Sequence, residues 1–300
     1  MMGKKLSEGT GVFKLGVVLD ELSDDLESAL RQAKEIGFDY VELYRFWGVE
    51  TLNHDLETQK RAKGLLEQYG MPVRTLLTPT LKSLSISGMN PQTITKSEEF
   101  ARHMETHRRG IAAARFFGAG LLRVFSCNNG RTWPLKDPLS AEELKTVAAG
   151  LRIACDMAAG EGAQLGLENV RSCFGNTGRN QAAIISAVGR ENLGAIWDPA
   201  NDNASGGVGY PDGYEAVKPF IRDVHFKDAR IKDRKTGENE WACIGHGDLD
   251  ALGQLRALMR DGYEGGVTVE THWKHPDGSN GTAETTANLR RLIEAARQNL

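Results

Sequence analysis

Short apolar runs alternate with longer amphipathic ones along nearly the whole chain, and the pair repeats eight times. The short runs lie at 13–19, 40–44, 73–77, 121–125, 164–168, 193–198, 221–226 and 267–270. They are too brief for helices and rich in Val, Leu, Ile and Phe, so they predict strands. The longer runs, at 23–37, 55–69, 97–117, 140–159, 180–188, 214–218, 249–260 and 283–296, predict helices. Several carry end signals: Ser23 before Asp-Asp-Leu-Glu, Ser140 before the fourth, and Gly37, Gly70 and Gly160 just past their ends. Eight successive strand–helix units in 300 residues predict one closed (β/α)8 TIM barrel over residues 13–300. No Gly-x-Gly-x-x-Gly follows the first strand, which argues against an open doubly wound sheet. Residues 229–244 interrupt the rhythm with Asp-Arg-Lys-Thr-Gly-Glu-Asn between β-prone flanks, predicting a small β-hairpin insertion after strand seven, over the barrel mouth. Residues 1–12, rich in Gly, Lys, Ser and Glu, read as a flexible N-terminal tail.

Four of the strands end in a polar residue of the kind that binds metal: Glu168, Asp198, His225 and Glu270. The ends of parallel strands in a barrel can converge, and three carboxylates with one imidazole suit a single divalent cation. Alternation supports the convergence, because residues two apart share a face of a strand. Gly166 and Glu168 oppose Leu165 and Leu167; Asp223, His225 and Lys227 oppose Val224 and Phe226; Thr268 and Glu270 oppose Val267 and Val269. Asp198 shares its side with Ile196 and Gly194, so strand six is less decisive. Glu42 and Arg123, each between apolar neighbours, should also point inward, either as substrate contacts or as a buried ion pair with each other.

Net charge is −3 with both signs interspersed, which implies no field suited to a nucleic-acid groove or an anionic membrane. A small molecule is the expected partner. Cys127, Cys155, Cys173 and Cys243 form no C-x-x-C pair, no secretory apolar region precedes them, and no apolar run is long enough for a bilayer. A cytoplasmic protein is expected.

The segments Leu-Glu168-Asn169, Ile-Trp-Asp198-Pro-Ala-Asn201, Val-His225-Phe-Lys227-Asp228, Trp241-x-x-Ile-Gly245-His-Gly247 and Val-Glu270 resemble the xylose isomerase-like TIM-barrel superfamily. Within it they look most like the sugar phosphate isomerase and epimerase group, which includes ketose 3-epimerases and inosose dehydratases. The resemblance implies that Glu168, Asp198, His225 and Glu270 bind one divalent ion, manganese first, with magnesium, cobalt or zinc as alternatives. It further implies that Glu168 and Glu270 are also the catalytic bases of a ketose, sugar phosphate or cyclitol isomerase or epimerase. The alternatives it leaves open are an inosose-type dehydratase and a non-catalytic relative that binds a carbohydrate. Barrels of this group often form homo-oligomers through their mouth loops.

Departures from the group's pattern bear on substrate recognition. Asn201 stands where the epimerases place a histidine, Arg230 is near but not at the spacing of their arginine after the metal histidine, and Lys227 looks more like the inosose dehydratases. With Glu42, Arg123 and His246 these are the expected substrate contacts. Trp47, Trp133 and Trp273 are candidate pocket walls, and the loop after Pro79 a candidate cover. The DNA-repair endonucleases of the same barrel need extra strand-end histidines for three zinc ions. Strands two and three here end near Tyr44 and Thr78 without them.

Overall fold

A computed structural model describes residues 13–130 and 138–298, so the expectations for the tail at 1–12 and for Trp133 lie outside the described residues. The eight predicted strands form: β1 Lys14–Val18, β2 Tyr40–Leu43, β3 Val73–Leu76, β4 Leu121–Val124, β5 Leu165–Glu168, β6 Leu193–Trp197, β7 Ile221–Phe226 and β8 Gly266–Val269. Each pairs in parallel with the next, and β8 returns to β1 through Lys14↔Gly266 to Val17↔Val269, closing the barrel.

Helices α1 Leu26–Ile36, α2 Leu56–Tyr69, α3 Glu98–Phe117, α4 Ala141–Gly160 and α5 Gly178–Val188 follow the first five strands in turn. After β6 come two short pieces, α6 Pro199–Ala204 and α7 Tyr214–Val217; α8 Ala251–Arg260 and α9 Thr282–Arg297 follow β7 and β8. Side-chain caps satisfy the free amides at the starts of α2, α3 and α4 through Asp55, Ser97 and Ser140, the last in a reciprocal box with Glu143. Two end signals move. Asp25 rather than Ser23 caps α1, accepting from Ser28 N at 2.8 Å while Ser23 Oγ takes Asp25 N. α4 runs through Gly160 and is capped by Glu161.

Outward-facing Leu15, Val17, Val41, Leu43, Leu165, Leu167, Val267 and Val269 are buried beneath the helices. The inward residues are stacked by the strand register: Glu42 beside Thr75, Arg123 beside Gly166, Glu168 beside Ile196, and Thr268 beside His225. Ile196 is therefore inward, which settles the ambiguity of strand six. It occupies the room that Gly166 leaves, since a Cβ there would lie 2.6 Å from Ile196 Cγ1.

The predicted hairpin forms directly after β7, with Asp228–Asp233 antiparallel to Glu238–Ala242. A second, unanticipated hairpin pairs Arg45–Phe46 with Val49–Glu50 after β2. Its two turn residues, Trp47 and Gly48, both have positive φ, the condition for the tight turn that matches strand twist. The loop after Pro79 is stitched down rather than free. Leu81, Leu84 and Ile86 are buried, and Asn128 N bonds Leu84 O at 2.8 Å. All four cysteines are buried and free, and no described helix is long and apolar enough to cross a membrane.

One close approach fixes how α5 meets the β6–β7 connection. A Cβ on Gly178 would lie 2.3 Å from the carbonyl oxygen of Gly213, a backbone atom that cannot swing aside as a side chain can. Replacing Gly178 by Ala is therefore expected to cost about 1–3 kcal/mol through backbone displacement, read as a lower urea midpoint with an unchanged slope.

Candidate metal centre

The four strand ends meet. One ligand-type atom from each of Glu168, Asp198, His225 and Glu270 lies within 4.8 Å of the others, and all four residues are buried. Glu168 is the last residue of β5, Asp198 follows β6, His225 lies within β7 and Glu270 follows β8. His225 Nδ1 faces the carboxylates, 3.1 Å from Glu168 Oε1 and 3.7 Å from Glu270 Oε2. Its other nitrogen, Nε2, is 3.0 Å from Glu42 Oε2 on the inner side of the barrel.

The braces are specific. Asn169 spans the ends of β5 and β6, accepting from Asp198 N and donating to Asp198 O, each at 2.8 Å. Asp198 doubles as the cap of α6, its Oδ1 accepting from Asn201 N at 2.8 Å. Arg123 Nη1 donates to Glu168 Oε2 at 2.9 Å, and its guanidinium lies over the rings of Phe125 and Tyr44. Lys227, 2% exposed, places Nζ 2.5 Å from Glu270 Oε2 and 2.8 Å from Asp198 Oδ2, with the Trp241 ring 5.0 Å away.

Burial opposes ionisation of every acid here, and the neighbours decide the outcome. Against burial, Arg123 and then His225 hold the Glu168 carboxyl down at about 2. Lys227 and His272 likewise outweigh burial at Glu270 and keep it well below the usual carboxylate range. At Asp198 burial prevails over Lys227, pushing its carboxyl up. His225 would lose its charge by burial alone, but Glu42 and Glu168 on either side raise it well above its ordinary value.

These residues fit a divalent cation on three grounds. The donors are three carboxylates and one imidazole, a set that suits such an ion. Asp198 Oδ2 is buried, and the Lys227 ammonium 2.8 Å away is its charged neighbour, with no backbone or hydroxyl donor recorded on that oxygen among the described residues. Around His225 the carboxyls of Glu42, Glu168, Asp198 and Glu270 gather against Arg123, Lys227 and the His272 ring, an acid-rich pocket that a divalent ion beside a neutral imidazole would suit.

The other sequence expectations fare unevenly. Among the described residues Glu42 and Arg123 do not pair with each other; Glu42 faces His225 and Arg123 faces Glu168, because β2 and β4 point them at different ligands. Asn201 is buried and spends a side-chain N–H on Asn169 O at 2.9 Å, so it braces the ends of β5 and β6. Arg230 and His246 are exposed on the hairpin side, with Arg230 held by Glu240 and by His246 O. Trp47 packs on Phe46 and His54 within its own loop and under Arg61 of α2, and Trp273 packs on His275. Sequence reasoning undervalued His272. Its Nδ1 lies 2.7 Å from Glu21 and its Nε2 3.8 Å from Glu270, in a left-handed backbone with φ of 49°. The one available signal was its place two residues beyond Glu270.

Residues 30–295 match the family model described as xylose isomerase-like TIM barrel, and the chain belongs to that family. Among its relatives is a ketose 3-epimerase from Arthrobacter globiformis, 23% identical over 252 residues, which span 83% of this chain and 78% of that protein. Two solved structures share the fold. One is a xylose isomerase-like TIM barrel protein from Mycobacterium smegmatis in complex with magnesium, with 17% identity, a TM-score of 0.70, and coverage of 97% of this chain and 99% of the other. The second is a D-allulose 3-epimerase from Methylomonas sp. in complex with D-allulose, with 18% identity, a TM-score of 0.65, and coverage of 96% and 97%.

Arg123 is the direct partner of the buried Glu168 carboxylate. Its replacement by Met leaves the buried Glu168 with His225 alone as a positive neighbour and is expected to destabilise the metal-free protein by about 3–5 kcal/mol. Equilibrium urea unfolding checks this.

Proposed function

We propose that this protein is a divalent-metal-dependent isomerase or epimerase acting on a ketose or related sugar, with Glu168, Asp198, His225 and Glu270 as metal ligands. The observation that carries the reading is the meeting of these four buried side chains within 4.8 Å, two of them glutamates from strands on different sides of the ring. The ketose 3-epimerase relative supports the substrate class. A manganese or magnesium ion suits the oxygen-rich donors best.

The bound ion supplies Lewis-acid stabilisation of the negative charge that builds on the carbonyl oxygen when a neighbouring carbon loses its proton. The chain supplies the proton transfers. Glu270, held ionised by Lys227 and His272, takes the proton from carbon on one face, and the electron pair of the C–H bond moves toward the carbonyl oxygen. Glu168, ionised at rest, first takes a proton from solvent and delivers it to the opposite face, which inverts the centre, while Glu270 later releases the abstracted proton to solvent; return by Glu270 from its own face to the neighbouring carbon gives aldose–ketose isomerisation. Arg123 and Asn169 keep the glutamate and its neighbouring aspartate in place during both transfers. Trp241 on the hairpin places its ring 5.0 Å from the buried Lys227 ammonium.

A dehydratase is the second reading, favoured by Lys227. Its buried ammonium, kept charged by Asp198 and Glu270 against burial, is placed to donate a proton to a departing hydroxyl after the same first abstraction. A cytoplasmic setting fits four buried, unpaired thiols.

Purified protein is expected to carry about one divalent ion per chain by elemental analysis and to lose turnover on chelation, regaining it with manganese or magnesium. In deuterated water, deuterium should enter a ketose substrate at the inverted carbon. Glu270→Gln should lower kcat by roughly 10²–10⁴-fold, the range of general acid–base catalysis; turnover near that of the unaltered enzyme would refute the two-carboxylate scheme. Loss of water from an inosose without epimerisation of any ketose in a panel would select the dehydratase.

A further inference from the structure

His225 is bonded on both ring nitrogens, and the two sides differ in kind. Nδ1 faces the ligand carboxylates, whereas Nε2 faces Glu42 Oε2 at 3.0 Å in the fully buried barrel interior. An imidazole that binds a cation through Nδ1 must carry its proton on Nε2, and that proton needs an acceptor. Glu42 is that acceptor, and it is held in one orientation. Its other oxygen, Oε1, receives the Thr268 hydroxyl at 2.7 Å and lies 3.1 Å from the Thr75 hydroxyl. Thr268 in turn is 2.8 Å from Tyr40 Oη. Both threonines sit beside their partners by strand register, Thr75 next to Glu42 and Thr268 next to His225.

We propose that Glu42 is a positioning residue: held by Thr75 and Thr268, it accepts the Nε2 proton of His225 and so commits Nδ1 to the divalent cation. This rests on the metal reading given above. The arrangement dictates what an amide would do in its place. In Glu42→Gln, the Thr268 hydroxyl donates toward the Oε1 position and retains the amide oxygen there, with Thr75 sharing its single proton between that position and Asp223 Oδ2, each at 3.1 Å. The amide NH2 then faces Nε2 and donates to it. The imidazole proton is driven to Nδ1, where it blocks the lone pair that the cation needs. Shape is nearly unchanged; the direction of one hydrogen bond is reversed.

The test is cation affinity, measured by calorimetry with magnesium and with manganese on the full chain freed of metal. Glu42→Gln should bind about 10–100-fold more weakly than the unaltered protein, the usual effect of losing the partner of a metal-binding histidine, while still unfolding in one cooperative transition. Adding Thr268→Val to Glu42→Gln removes one donor that pins the amide oxygen, lets the amide turn, and should restore part of the affinity. A merely structural role for Glu42 predicts the opposite, since the double variant would then bind no better than the single one. Nitrogen NMR of the magnesium-loaded unaltered protein needs no variant to fold, and it should find the His225 proton on Nε2. A proton on Nδ1, or equal affinity in Glu42→Gln and the unaltered protein, overturns the proposal. A flat isotherm for the unaltered protein sinks the metal reading itself and this inference with it, whereas normal binding insensitive to Glu42 sinks the inference alone.

Discussion

Four carboxylates gathered around one imidazole, all out of water, is the constraint on which the rest of this structure turns. Like charges this close repel strongly in a low-dielectric interior, and each acid also gives up its hydration. The fold answers with cations delivered from different strands: Arg123 from β4 against Glu168, and Lys227 just past β7 against Asp198 and Glu270. Deeper in the barrel the same solution recurs, with Arg74 from β3 against Asp223 at 3.1 Å. The arrangement is unusual for a core built only for stability, because well-packed apolar residues serve that purpose at least as well.

Charge alone does not place these side chains; backbone register and small braces do. Asp198 is held at its N–H, its carbonyl and one carboxylate oxygen by Asn169 and Asn201, so its second oxygen has little freedom to turn away. Inward-facing glycines serve the same end lower down. Gly16 and Gly266 leave space for the Tyr40 ring, and Tyr40 Oη reaches Thr268 beneath His225. The interior is thus a continuous polar stack from Tyr40 up to the mouth, walled by aliphatic residues that face the helices.

Much of this was legible in the sequence, for a physical reason: a strand's two-residue period separates wall from interior, and an apolar run ending in Glu, Asp or His is locally visible. That is why Glu168, His225 and Glu270 could be assigned a common face before any coordinates, and why the hairpin after β7 stood out. Asp198 was harder, because Ile196 on the same side suggests a wall; only its register beside Glu168 and Asp223 shows that an isoleucine can fill the barrel. The partner of Glu42 was not legible. β2 and β7 are not neighbours in the barrel, so nothing local ties residue 42 to residue 225. The turn at Trp47 and Gly48 escaped for a different reason, since tryptophan at positive φ is not a turn signal.

The seam between β1 and β8 has a bearing on how the protein is made. Glu21, just after β1, accepts from the backbone of His272 and holds its ring, and its carbonyl takes the Thr282 hydroxyl, so the first and last mouth loops are laced together beside Glu270. Glu168, Asp198 and His225 all precede β8 in the chain, so the strand that closes the ring is also the one that brings Glu270. The four-residue cluster is therefore complete only once β8 has paired with β1, and Glu270 is the last of its members to arrive.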